Sequence, residues 1–256
     1  MKFKLFALVS LLTSLFSCSC SFLPHKVPAA ADTQAMLAST VQILVQVEGA
    51  LLGPEDALGV PQGELPVSQG WAGSGVVYKK DLGLTGPVHS LILTANHVLE
   101  TPDVGTVVMT GMGRVRVDRV EISVRTSDGR ICSLQTLVLG DWSTGDVATG
   151  EADCDAGRVA PIARRSPQKG ARIYVVGHPL AINLAIITEG LTSGWFDGYM
   201  LVGAAAAPGN SGGPCFNADG EVIGLLVRGS PRYSHISLVT PLSSVLARIA
   251  ETVELD

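Results

Sequence analysis

Seven residues in the last fifth of the chain, Pro208-Gly209-Asn210-Ser211-Gly212-Gly213-Pro214, suit neither a core strand nor a helix. Three glycines between two prolines make a tight turn, and one hydroxyl stands on it. The backbone N–H groups of such a turn converge on one spot. If Ser211 Oγ attacks a carbonyl carbon, an oxyanion forms at that spot. A second segment, Leu91-Ile92-Leu93-Thr94-Ala95-Asn96-His97-Val98-Leu99, sets His97 at the end of a strand-like apolar run. A lone histidine there is ordinarily a satisfied core residue. Upstream of a turn-borne serine it is also the natural general base, because its ordinary pKa of about 6.5 lies close to neutrality. Together the two segments read as serine-nucleophile hydrolysis.

The elements that must position these residues read as strands. The chain has 256 residues, with 29 Gly and 14 Pro, which favours short strands joined by turns over a helical protein. Residues 114–125 alternate polar and apolar side chains, the period of a half-buried strand. Ser127-Asp128-Gly129-Arg130 turns them into a further strand at 131–139. Residues 75–78, 90–94, 172–177, 184–188, 199–202, 222–227 and 236–239 are predicted strands, and Asn217-Ala218-Asp219-Gly220 is a predicted hairpin turn. Residues 36–47 read as a short helix or turn leading into a strand, 49–70 as a loop, and 140–157 as the connection between two halves. Only 243–251 is helical, with Val245, Leu246, Ile249 and Ala250 on one face. Many short strands in two halves followed by one helix predict an all-β double barrel.

Composition narrows the partners. The formal net charge is −5 and no basic cluster stands out, so nucleic acid is not an expected partner. Lys2 and Lys4 precede an apolar run at 5–16, which reads as an export signal and is too short for the roughly 20 residues of a membrane span. Residues 1–20 are therefore expected as a signal peptide and 21–35 as a tether, with exported, periplasmic, secreted or lipid-anchored localisation. Leu15-Phe16-Ser17-Cys18 resembles a bacterial lipoprotein signal, which would put lipid on Cys18, although Phe16 departs from that pattern; Ala29-Ala30-Ala31 is the other cleavage site. In an oxidising compartment Cys132 and Cys154 are the most plausible bridge, leaving Cys215 unpaired. No Cys-x-x-Cys pair is present, so no metal site is expected, and no organic cofactor is implied.

In their order and separation, Gly73-Ser74-Gly75-Val76-Val77, the His97 segment and the Ser211 turn resemble the chymotrypsin-fold (trypsin-like) serine proteases. Their likeness is greatest to the bacterial high-temperature-requirement branch, over about residues 36–250. The resemblance implies two six-stranded antiparallel β-barrels with a C-terminal helix. Barrel 1 would span about 36–140, the connection 141–157, and barrel 2 with the helix 158–256. It implies that Ser211 is the nucleophile, that His97 carries its proton, and that the N–H groups of Gly209 and Ser211 form the oxyanion hole. A carboxylate from the connection must orient His97, and Asp141, Asp146, Asp153 and Asp155 are the candidates. The family spaces its acid about twenty residues before a proline-and-glycine turn. Counting back from Pro167 favours Asp146, followed by Val147 and Ala148, whereas Thr149 and Gly150 are not the aliphatics the family prefers. The branch often carries a peptide-binding domain after the protease, and none is expected here.

On the same mapping Ala205 and Ala206 form one wall of the primary substrate pocket, and Leu226, Val227 and Arg228 another. Small alanines and no carboxylate at the base predict cleavage of protein or peptide after small or aliphatic residues, and argue against Lys or Arg there. Arg228 reaching inward would instead favour an acidic side chain. The alternative function is an inert protease-fold module that binds peptides or a partner. Gly209-Asn210-Ser211-Gly212-Gly213 also fits the Gly-x-Ser-x-Gly elbow of α/β-hydrolases, with Asp219 and His235 following. That elbow needs a helix after the serine, where this sequence places a hairpin. His178, at a Gly-His-Pro turn, reads as structural; His25 lies in the tether, His89 flanks a strand and His235 reads as surface.

Overall fold

The computed structural model describes residues 30–55, 59–81, 87–140, 145–230 and 235–244. The expected signal peptide, most of the expected tether with His25, Asp141 and the terminal-helix residues beyond Ser244 lie outside them. The first sheet comprises β1 (Thr40–Leu52), β2 (Glu64–Asp81), β3 (His89–Thr94), β4 (Val107–Thr110), β5 (Gly113–Arg125), β6 (Ile131–Leu139) and β7 (Ala148–Ala152). β1 pairs with both β2 and β5, closing the order β1-β2-β3-β7-β6-β5 into a six-stranded ring, and β4 is added alongside β5. The second barrel comprises β8 (Arg172–Gly177), β9 (Ile186–Phe196), β10 (Tyr199–Val202), β11 (Pro214–Asn217), β12 (Val222–Gly229) and β13 (Ser237–Pro241). It closes in the order β8-β9-β10-β13-β12-β11, and every strand pairing in both barrels is antiparallel. The chain is thus the all-β double barrel its sequence predicts. Among the described residues no helix is evident at the C-terminal end, where the last described element is a short 3₁₀ turn, Leu242–Ser244.

β4 is a strand the sequence reading does not include, β9 extends well past the expected 184–188, and two longer stretches also differ. Within 49–70, residues 49–52 and 64–70 are strand, because β1 and β2 form a long hairpin pairing Leu52 with Glu64 and Ala50 with Pro66. Pro66 is tolerated because β3 pairs β2 only from Gly75 onward, so that edge needs no N–H there. The 140–157 stretch is not simply a connection: β7 lies inside it and belongs to the first barrel, between β3 and β6. Its small residues hid it from a reading based on β-propensity. A side chain at Gly150 would meet Leu134 Cδ1 at 3.0 Å and Gln135 O at 3.1 Å, so the packed sheet fits a small residue there most easily. The link between barrels therefore runs from Asp153 to β8.

Three apolar clusters follow from this topology. Val41, Ile43, Val45, Val77, Ile92 and Val124 fill the first barrel, and Ile173, Val175, Met200, Val202 and Val239 the second. The third is the seam: Val76 and Leu93 from barrel 1 pack with Tyr174, Val176, Phe216 and Leu225 from barrel 2. α1 (Ala30–Ser39) begins inside the expected tether and adds Met36 to that seam. The side chains of Ser39 and Thr40 both donate to Met36 O, which ends the helix where β1 starts. No described helix is long and apolar enough to cross a membrane.

Cys132 and Cys154 are bridged and Cys215 is buried and unbridged. The bridge closes 22 residues of chain around the β6–β7 hairpin. A loop of that size is worth about 3 kcal/mol of unfolded-state restriction. The Cys132→Ser/Cys154→Ser variant is expected to lose about that much unfolding free energy, read as a lower denaturant midpoint by circular dichroism.

Candidate active site

β3 delivers His97. The strand ends at Thr94, Ala95 is extended, and Asn96–Leu99 form a single helical turn, α2, with Val98 and Leu99 buried in the first core. Trp71 of β2 donates its indole N–H to Val98 O at 2.9 Å, fixing the turn from the next strand. The imidazole stays about one-third exposed, at the edge of a cleft between the barrels.

Asp146 comes from the loop before β7 and is 1% exposed. Its backbone is in the left-handed region (φ 55°), which aspartate tolerates better than most residues. Gly145 just before it accepts a hydrogen bond from Thr240 of β13, so barrel 2 holds the loop in place. The Asp146 carboxylate grips His97 twice: Oδ1 accepts the His97 backbone N–H at 3.1 Å and Oδ2 lies 2.7 Å from Nδ1. Asp146 O also accepts the Asn96 N–H at 3.1 Å. With Nδ1–H donated to the carboxylate, Nε2 is left as the proton acceptor. The other described acids lie elsewhere. Asp153 follows the far end of β7, and Asp155 pairs with Lys80 at 2.6 Å, which holds its carboxyl below the usual range.

Barrel 2 supplies the serine. Ser211 sits in a turn between the second core and β11, and residues of β2 clamp it. Ser74 N–H donates to Ser211 O at 2.8 Å, and Ser74 Oγ donates to Gly209 O at 2.7 Å while accepting the His178 N–H at 2.9 Å. Ser74 is fully buried, and it is a support the sequence reading did not single out beyond the Gly73-Ser74-Gly75 motif. Gly212 (φ 79°) and Gly209 (φ 96°) adopt backbone conformations that L side chains rarely take, and a side chain at either would collide with neighbouring backbone. The turn closes through Gly213 N–H to Asn210 O, Asn210 N–H to Ala207 O and Gly212 N–H to Leu226 O. The N–H groups of Gly209 and Ser211, by contrast, have no backbone acceptor among the described residues.

His97 and Ser211 line one cleft of about 610 Å³, together with Ala206, Ala207, Pro208, Leu226, Val227, Arg228, Gly229 and Ser230. Among the described lining residues none is acidic. Of the residues expected as pocket walls, Ala206, Leu226, Val227 and Arg228 are there. Ala205 is not: its neighbour Ala204 points into the second core and turns Ala205 to solvent. Tyr199 packs against the first core, within reach of the charges of Asp146 and Arg228. Its phenol is raised above its ordinary value by burial, with Asp146 adding to the rise and Arg228 opposing it, so it stays neutral. Burial likewise pushes the Cys215 thiol up, which removes it as a rival nucleophile. The His/Cys/Asp/Glu grouping with metal-ligand spacing among the described residues is Cys132, Asp153 and Cys154. Its two sulfurs are already joined to each other.

Comparison with known proteins identifies the family of the chain. The trypsin-like peptidase domain matches residues 73–225, more than half of the chain and all of both segments described above. The chain belongs to the trypsin-like peptidase family. It is 27% identical over 186 residues to a DegP-like protein of Hahella chejuensis named as a probable periplasmic serine endoprotease, covering 68% of this chain and 34% of that one. It is also 27% identical over 172 residues to the serine protease Do-like HtrA of Bacillus subtilis, covering 60% and 32%. The chain thus spans about a third of the length of these relatives. The crystal structure of the serine endoprotease from Yersinia pestis superposes with a TM-score of 0.60 at 20% identity, over 89% of this chain and 68% of that one, a likeness of fold.

His178 is buried against this site and its Nδ1 has no hydrogen-bond partner. Burial, with the Arg125 charge adding to it, lowers its pKa to about 4. The unfolded chain takes up that proton near pH 6.5, so below 6.5 the unfolded state binds more protons than the fold. Stability is therefore expected to fall from pH 6.5 to 4, at up to about 1.4 kcal/mol per pH unit from this group. Melting temperatures across that range should show a shallower slope for His178→Gln than for the parent.

Proposed function

We propose that this family member is an exported serine endopeptidase that cleaves protein or peptide chains through an acyl-enzyme. Ser211 Oγ attacks the scissile carbonyl. His97 Nε2 takes the hydroxyl proton and returns it to the leaving amine. Asp146 holds the imidazole in the tautomer that makes this exchange and stabilises the imidazolium formed on the way. The Gly209 and Ser211 N–H groups receive the oxyanion of the tetrahedral intermediate. The observation that carries this reading is the 2.7 Å contact between Asp146 Oδ2 and His97 Nδ1, made by an imidazole that shares its cleft with Ser211. The atypical Thr149-Gly150 after the acid would favour the inert-module alternative, and the grip of Asp146 on His97 counts against it.

Residues 1–20 act in this reading as an export signal, in keeping with the periplasmic names of the relatives. The rest of the chain is the protease domain, reached through a short tether.

A fluorophosphonate probe is expected to label the parent at Ser211. Ser211→Ala should abolish labelling and lower peptide turnover by about 10⁶, and Asp146→Asn should lower kcat by about 10⁴, by leaving His97 in the wrong tautomer. Labelling that persisted in Ser211→Ala would overturn the nucleophile assignment.

The lining of Ala206, Ala207, Leu226 and Val227 supports a preference for small or aliphatic residues before the cut. Profiling with a peptide library should return Ala, Val, Ile or Leu there; strong selection for Lys or Arg would contradict it.

A further inference from the structure

The turn after β8 carries two residues in a conformation their side chains resist. Leu180 (φ 55°, ψ 29°) and Ala181 (φ 57°) are consecutive left-handed residues, and neither is glycine, asparagine or aspartate. Both side chains are exposed, Leu180 by 69%, so packing of those side chains does not hold them there. Such a conformation persists only where the surroundings over-determine it. Here the surroundings are two sets of hydrogen bonds. On one side barrel 1 grips the turn: Gln42 Nε2 donates to Ile182 O at 3.4 Å, and Arg125 donates to the Asn183 side chain and, at 2.9 Å, to Gln42 Oε1. On the other side the Leu180 N–H donates to Pro208 O at 2.6 Å.

That last bond orients the proposed oxyanion hole. The Pro208–Gly209 peptide is trans and planar, so its C=O and N–H point in opposite directions. Holding Pro208 O against Leu180 therefore turns the Gly209 N–H the other way. Gly209 is also wedged against the same turn: a side chain on it would lie 3.2 Å from both Leu180 N and Ala181 N. We infer that Leu180 and Ala181 are positioning residues for the reaction, their left-handed backbone presenting the Leu180 N–H that keeps the Gly209 N–H aimed at the oxyanion. The inference rests on the proposed function.

The test separates backbone conformation from side-chain identity at one exposed position. Leu180→Ile resists the left-handed region more than leucine does, whereas Leu180→Asn and Leu180→Gly accept it readily. The Ile variant is expected to lose about tenfold or more in kcat on a peptide ester, with KM within about twofold, because only the developing oxyanion loses a donor. Its affinity for a peptide boronate, whose tetrahedral adduct places an oxygen in the hole, should fall by a similar factor. The Asn and Gly variants should keep both within about threefold of the parent. Melting temperatures establish that each variant is folded, and Ala181→Val with Ala181→Gly repeats the comparison if Leu180→Ile is not. An Ile variant as fast as the parent, or Asn and Gly variants as slow as Ile, would overturn the inference. A parent that a fluorophosphonate failed to label would defeat the proposed function itself, and this inference with it.

Discussion

The site is organised around a single buried hydroxyl, that of Ser74. It belongs to β2, in the first barrel, yet it bonds residues of the second: it donates to Gly209 O and accepts from His178 N–H, while its own backbone N–H donates to Ser211 O. Buried polar groups left without partners are costly, so three satisfied bonds at one fully buried residue define a narrow set of barrel orientations. The apolar seam around Val76, Leu93, Val176 and Phe216 presses the barrels together without direction. The Ser74 bonds supply the direction, and with it the placement of the serine turn opposite the α2 turn.

From that placement the electrostatics follow. Asp146 is sealed from water and gains its partners from His97, while Thr240 of β13 steadies the residue just before it. A buried carboxylate without such partners would be strongly disfavoured. The carboxylate therefore fixes the imidazole and is itself fixed by it. Tyr199 stays neutral beside them, and Cys215 stays a thiol in the second core. Around Ser211, competing titratable chemistry is thus suppressed by burial.

How far the sequence discloses this arrangement depends on whether a residue's role is local. The Ser211 turn and the His97 turn are legible because their backbone geometry demands glycines, a proline and a strand end that stand next to one another in the chain. Asp146 needed the added spacing rule of a family resemblance, since Asp-Val-Ala also describes an ordinary loop. β7 escapes a propensity-based reading because Ala148-Thr149-Gly150-Glu151-Ala152 has little β-propensity; at Gly150 the close packing of Leu134 favours a small residue. Ala205 faces solvent while Ala206 and Ala207 line the cleft, a one-residue difference of facing that a run of four identical alanines does not disclose. Ser74, Gln42 and the Leu180 turn leave still less trace. Their partners are 135, 140 and a few tens of residues distant, and nothing in a local window records such a bond.

The division of labour between the barrels has a consequence during synthesis. The acid and the imidazole are completed by β7 and belong to the amino-terminal half; the hydroxyl and its surrounding amides are translated later. A nascent chain that has built only its first barrel holds the His97 imidazole and has no Ser211 for it to meet. Under the proposed mechanism, cleavage therefore waits until both halves have emerged and joined, which spares the unfinished polypeptide and its neighbours.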